Sequence, residues 1–147
     1  DGSGYQGKVG AAAIIYTDGA QQPTGTLRYH LGPAEEHSTY EGEAVGLILA
    51  AWLLRAHCGQ RVGSTAVSVY SDCQSVIKSV LAMRPGPGQH LLTAHQGEIT
   101  PKFTLHWISA HTNVPGNEKV DEEAKAAAQG STTPKPFLPP VLQRPMP

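Results

Sequence analysis

Apolar positions along this chain fall in short blocks whose spacing switches between strand-like and helix-like periods. Residues 11–16, Ala-Ala-Ala-Ile-Ile-Tyr, form a continuous apolar run of strand length and predict a buried strand. Before it, residues 1–10 carry Gly2, Gly4, Gly7 and Gly10 and predict a glycine-rich turn. Asp18-Gly19 signals a turn and residues 26–31 alternate, so the two strands predict an antiparallel hairpin. The period then changes: within residues 43–55, Ala44, Leu47, Ile48, Ala51 and Leu54 share one helical face. Ser38 or Thr39 suits the N-cap of that helix and Gly59 its end. Residues 65–71 return to strict alternation and predict a strand. Residues 73–83 predict a short helix stopped by Pro85-Gly86-Pro87-Gly88, and residues 89–99 a further helix. A strand over 104–108, a loop over 112–116 and a helix over 117–129 follow, the last with charge on one side and alanine on the other.

Strands alternating with helices predict a mixed α/β sheet covered by helices, in which sites form at strand ends and helix starts. From Ser131 onward come Pro134, Pro136, Pro139, Pro140, Pro145 and Pro147, which predict a linker or an extended surface segment. The organisation expected is one domain over 1–130 and a proline-rich tail over 131–147. A chain of 147 residues, 39% hydrophobic and 16% charged, fits one packed domain. The longest apolar stretch, 44–54, is too short to span a bilayer. Eleven Lys and Arg against twelve Asp and Glu exclude a protein that grips nucleic acid by bulk positive charge. Cys58 and Cys73 make neither a disulfide framework nor a zinc site; free thiols in a reducing, intracellular setting fit them better.

Four acids stand at element boundaries: Asp1 before the first strand, Glu43 at the start of the apolar helix, Asp72 at the end of the 65–71 strand and Asp121 in the last helix. Brought to one point, such acids repel one another, and hard divalent cations with oxygen preference relieve that repulsion. Taken singly, each has a plainer reading. Asp72 suits a helix cap, Asp121 suits a helix dipole and Asp18 suits a turn. Glu41 lies two residues from Glu43, so the two cannot face the same point of a helix.

The surrounding motifs carry more. Asp1-Gly2-Ser3-Gly4, Tyr40-Glu41-Gly42-Glu43-Ala44, Tyr70-Ser71-Asp72-Cys73-Gln74 and His106-Trp107-Ile108-Ser109-Ala110-His111, followed by Pro115-Gly116-Asn117-Glu118-Lys119-Val120-Asp121, stand in the order of a type 1 ribonuclease H domain. The resemblance reaches to about Gly130 and is greatest to the ribonuclease H domains of non-LTR retrotransposon polyproteins. It implies a ribonuclease H-like α/β fold with a mixed five-stranded sheet flanked by helices. The first strand would be truncated at its N-terminal side, since the chain opens on Asp1.

The resemblance also implies an endoribonuclease that cleaves the RNA strand of RNA/DNA hybrids with two Mg²⁺ ions, for which Mn²⁺ can substitute. Asp1, Glu43, Asp72 and Asp121 match the metal-binding carboxylates, and His111 matches a loop histidine that assists proton transfer or product release. Gly2 and Ser3 match a turn that approaches the RNA, where ribose 2′-hydroxyls distinguish RNA from DNA. Gln74 matches a residue that reaches the minor groove, and Asn117 a loop-positioning residue that equally suits a helix cap. The chain departs from the family at Arg84-Pro85-Gly86-Pro87-Gly88, where no basic helical protrusion follows. Weak, salt-sensitive hybrid binding by an isolated monomeric domain is therefore expected, with a covalently linked reverse transcriptase supplying grip. Two other readings stay open: a catalytically silent module of the same fold, and a related nuclease acting on DNA.

Overall fold

The computed structural model describes residues 1–16, 21–58, 68–71, 104–107 and 115–144. The turn at Asp18-Gly19, the stop at Gly59 and the helices expected over 73–83 and 89–99 lie outside the described residues.

The glycine-rich start is a strand and a hairpin rather than a turn alone. Strand β1 (Gly2–Tyr5) pairs antiparallel with β2 (Lys8–Ile15), which pairs antiparallel with β3 (Gly25–Pro33). Gln6 and Gly7 join β1 to β2, with φ of 51° and 75°. Two consecutive left-handed residues match the right-handed twist of a tight hairpin, which is why glycine stands at the second. The ladder runs one step beyond β1: the Asp1 amino group donates to the Ala12 carbonyl at 2.7 Å, and the Ala12 amide donates back to the Asp1 carbonyl at 2.9 Å. Asp1 is thus held by two hydrogen bonds at the end of the strand expected to be cut short. Strands β4 (Ser68–Ser71) and β5 (Thr104–Trp107) pair in parallel, inside the strands expected there. The described strands thus form a three-stranded antiparallel sheet and a two-stranded parallel one.

Helix α1 (Thr39–Cys58) starts earlier than the apolar run implied, because its first turn is closed by polar groups. Ser38 Oγ accepts from the Glu41 amide at 3.1 Å, and Glu41 Oε1 accepts from the Ser38 amide at 3.5 Å. This reciprocal pair is a capping box, and it selects Ser38 over Thr39 as the cap. His37, itself buried, donates from Nδ1 to Glu41 Oε2 at 3.0 Å. Glu41 is therefore spent on the helix start. The face marked by Ala44, Leu47, Ile48, Ala51 and Leu54 is buried throughout. A second face is buried too: Val45, Ile48, Leu49 and Leu53 pack with Ala11, Ala13 and Leu27 of the sheet. A helix apolar on both sides is a buried helix.

Helix α2 (Pro115–Ala128) begins two residues before the expected start, with proline at its first position, where the missing amide costs nothing. Asn117 therefore lies inside the first turn and does not cap the helix. Helix α2 packs on the opposite face of the sheet from α1: Ala11 and Ala13 meet α1, whereas Gly10 meets α2. The helix ends in a Schellman motif, Gly130 to the Ala127 carbonyl at 3.0 Å and Ser131 to the Ala126 carbonyl at 3.1 Å, with Gly130 at φ 117°.

Residues 131–144 do not behave as a spacer. Thr133 donates its amide to the Arg28 carbonyl at 3.0 Å and accepts the Arg28 amide on Oγ1 at 2.8 Å; Thr132 Oγ1 accepts the His30 amide at 2.9 Å. These bonds cover the outer edge of β3, whose polar groups would otherwise invite a foreign strand. The prolines then start two 3₁₀ turns, Lys135–Phe137 and Pro140–Leu142, instead of an extended run. Leu138 and Leu142, 1% and 2% exposed, enter the core against α1 and the sheet. Leu138→Ala or Leu142→Ala is therefore expected to destabilise the domain by about 2–4 kcal/mol, read as a lower midpoint of urea unfolding at unchanged slope. A change within error of zero at both positions would mean that the tail is merely adsorbed.

Candidate functional site

Beside Asp1 and Glu43 the backbones of β1 and α1 come together with almost no side chain between them. A Cβ on Gly2 would collide with the carbonyl carbon of Gly42 and the amide of Glu43, and would stand 2.9 Å from the Glu43 Cα. A Cβ on Gly46, one turn later, would stand 2.6 Å from the Asp1 nitrogen and 2.8 Å from its oxygen. Gly42 completes the contact, its Cα side facing Val9, Gly10 and Gly2. Glycine at these positions serves close approach of backbone to backbone. It brings the strand end that carries Asp1 against the first turns of α1, which carry Glu43; both residues are half-buried.

Helix α2, which carries Asp121, packs on the second side of the sheet. Gly10 does for α2 what Gly2 does for α1: a Cβ there would overlap the Ala128 amide and stand 2.7 Å from the Ala124 carbonyl oxygen. The register pairs Ala12 with Arg28, and Asp1 with Ala12, so the three form one row across the sheet. By alternation this row shares the α2-facing side with Gly10. Asp121 is 37% exposed and its Oδ2 holds Lys125 Nζ at 3.0 Å. A surface pair of this kind contributes at most about 1 kcal/mol, so it is readily exchanged for a stronger cation.

Gly2 and Ser3 lie in β1 and are buried, Ser3 opposite Gly10. The turn expected there is absent because both residues are claimed by the ladder and by α1. Asp72, Gln74 and His111 lie outside the described residues, as does the side chain of Asn117. Among the described residues no group of three or more His, Cys, Asp or Glu side chains is arranged to hold a metal ion. The oxygen-only chemistry of Asp1 and Glu43 is of the kind hard divalent cations prefer.

One charged cluster had no local signal in the sequence. Glu123, buried on α2, accepts from Arg28 Nε of β3 on Oε2 and pairs through Oε1 with Lys119 at 3.3 Å. Arg28 Nη1 also donates to Ser131 Oγ at 3.2 Å. Burial opposes ionisation of Glu123, but hydrogen bonds from Arg28 and Lys119 and their charges outweigh it and hold the carboxyl below its ordinary value. Because the folded value is the lower one, the stabilisation is complete above the unfolded glutamate range and is lost as pH falls through the folded value. Glu123→Gln is expected to remove about 1–2 kcal/mol at neutral pH, the worth of a charged hydrogen bond to a partly solvated arginine, and to flatten the acid limb of stability against pH in urea titrations. An acid limb as steep as the wild type's would assign that slope to other carboxylates.

No protein-family model and no curated protein matches the sequence. Among solved structures the chain is similar to the N-terminal ribonuclease H domain of a Mycobacterium tuberculosis protein, solved as a fusion with maltose-binding protein. The TM-score is 0.59 and the identity 18%, over 88% of this chain and 92% of that one. The chain thus has a ribonuclease H-like α/β fold.

Proposed function

We propose that the chain is a ribonuclease H-type nuclease that hydrolyses the RNA strand of RNA/DNA hybrids. The observation that supports this reading is the glycine contact that brings the strand carrying Asp1 against the start of the helix carrying Glu43, in a fold similar to a ribonuclease H domain. In this reading the five described strands belong to one mixed sheet, and the end of β4 brings Asp72 to the same point.

Asp1, Glu43, Asp72 and Asp121 would hold two Mg²⁺ ions, which when bound neutralise the carboxylates and lower the barrier to phosphodiester hydrolysis. The chain's own residues do the rest. The ladder bonds to Ala12 and the contact with Gly46 keep Asp1 from following its substrate. Lys125 keeps Asp121 paired until a stronger cation takes its place. His111 would carry a proton, a task that suits histidine because an unperturbed imidazole changes charge near neutral pH. Water attacks phosphorus and the bond to the 3′-oxygen breaks, leaving 5′-phosphate and 3′-hydroxyl ends. Gln74 would contribute hybrid contacts from the minor-groove side, Asn117 would position its loop toward the substrate, and Gly2 and Ser3 would act through the strand that carries Asp1. A covalently linked reverse transcriptase, as in non-LTR retrotransposon polyproteins, is the partner this reading implies.

The test is cleavage of a labelled RNA/DNA hybrid beside duplex DNA of the same sequence, with Mg²⁺ or Mn²⁺. Hybrid cleavage is expected, with Asp72→Asn and Glu43→Gln each lowering it about a hundredfold or more while far-UV circular dichroism stays as in the wild type. Cleavage of duplex DNA alone would place the chain among DNA nucleases. Folded protein with no cleavage, at hybrid concentrations that saturate binding, would make it a silent module.

A further inference from the structure

Helix α2 has little on its inner face to lock it in place. It lies on Gly10 through Ala124, Ala127 and Ala128, all fully buried. Helices normally fix rotation and depth by interlocking ridges and grooves, and a face of alanines on a glycine has almost no ridge. What holds the helix is polar. Arg28 grips Glu123 through Nε and Ser131 through Nη1, while its amide and carbonyl bind Thr133. His30 donates from Nδ1 to the Ala127 carbonyl at 2.9 Å. Arg28 also belongs to the row that contains Asp1, two strands or about 10 Å away, on the side facing α2.

We propose that Arg28 is a positioning residue: by latching Glu123 it sets the rotation and depth of α2, and so brings Asp121 to the Asp1 end of the row. The proposal rests on the reading of Asp121 as a cation ligand given above. Residues 121 and 123 are about 200° apart around the helix, so the rotation that seats one carboxylate fixes the other. A slip of 20° about the axis would carry a carboxylate at the helix rim by about 2 Å, more than a ligand set tolerates.

The experiment compares the whole chain as wild type, Arg28→Met and Glu123→Gln, with urea midpoints confirming that each is folded. Residual dipolar couplings of the metal-free proteins report the orientation of α2 against β2 and β3, and calorimetry reports Mn²⁺ affinity. The latch is supported when both folded variants show α2 couplings that fit the same helix in a new orientation and Mn²⁺ affinity falls about tenfold. Glu123→Gln alone decides if Arg28→Met fails to fold. Couplings that stay as in the wild type overturn the proposal, and so does a reoriented helix with unaltered Mn²⁺ affinity. If the wild type binds no Mn²⁺, the function proposed above loses its cation, and the couplings alone then decide whether Arg28 orients α2.

Discussion

Everything in this domain depends on how closely two helices approach one sheet. On one face Gly2, Gly42 and Gly46 let the backbone of α1 touch the backbone of β1; on the other Gly10 lets the backbone of α2 touch β2. Side chains usually separate such layers, and a Cβ at Gly2, Gly10 or Gly46 would have to displace main chain rather than a flexible tip. The gain is positional. A carboxylate on a strand and a carboxylate on a helix can be neighbours only if nothing bulky stands between their backbones, and the residue after Asp1 and the residue before Glu43 are both glycine.

Close approach has a cost in definition. Glycine and alanine surfaces bury area without interlocking, so the sheet needs other means to fix its helices. For α1 the means is apolar: Val45, Ile48, Leu49 and Leu53 interdigitate with the sheet and with Leu138 and Leu142 of the tail. For α2 it is polar, through Arg28, His30 and the strap of residues 131–133. The tail serves both. Its hydroxyls close the edge of β3 and its leucines complete the core beneath α1, so the domain's packing does not end where the helical periodicity ends.

Much of this was legible in local pattern and much was not. The 3.6-residue period of 43–55 and the alternation of 65–71 found α1 and β4, because burial of one face leaves a direct mark on sequence. The capping box of Ser38 and Glu41 was also there to read, a serine followed three residues later by glutamate before an apolar run. Other features left no local mark. Arg28 looks like any polar residue of an alternating strand, and its partners lie 95 and more residues away. The tail misled because six prolines argue against helix and strand but say nothing against 3₁₀ turns that bury a leucine between them and another at the end of the second. For the site, the motifs named Gly2 for a close approach to nucleic acid, and the structure adds a close approach to α1 that needs the same missing side chain.

Charge completes the picture of what this surface can do unaided. The basic groups of α2 and its neighbour strand are already committed: Arg28 to Glu123, Lys119 to Glu123 and Glu122, Lys125 to Asp121. On the far side of the domain Arg55 stacks over the Trp52 ring at 5.3 Å. With a net charge of −1 over the chain, these pairings leave little unspent positive charge along the described helices to attract phosphate at a distance. In the function proposed above, a surface so arranged would recognise its substrate at short range, by shape and by hydroxyl contacts near the carboxylates, and would gain little from long-range steering. Tethering to a second nucleic-acid-binding domain would then act on encounter alone, raising the local concentration of the hybrid without altering the geometry that Gly2 and Gly10 impose.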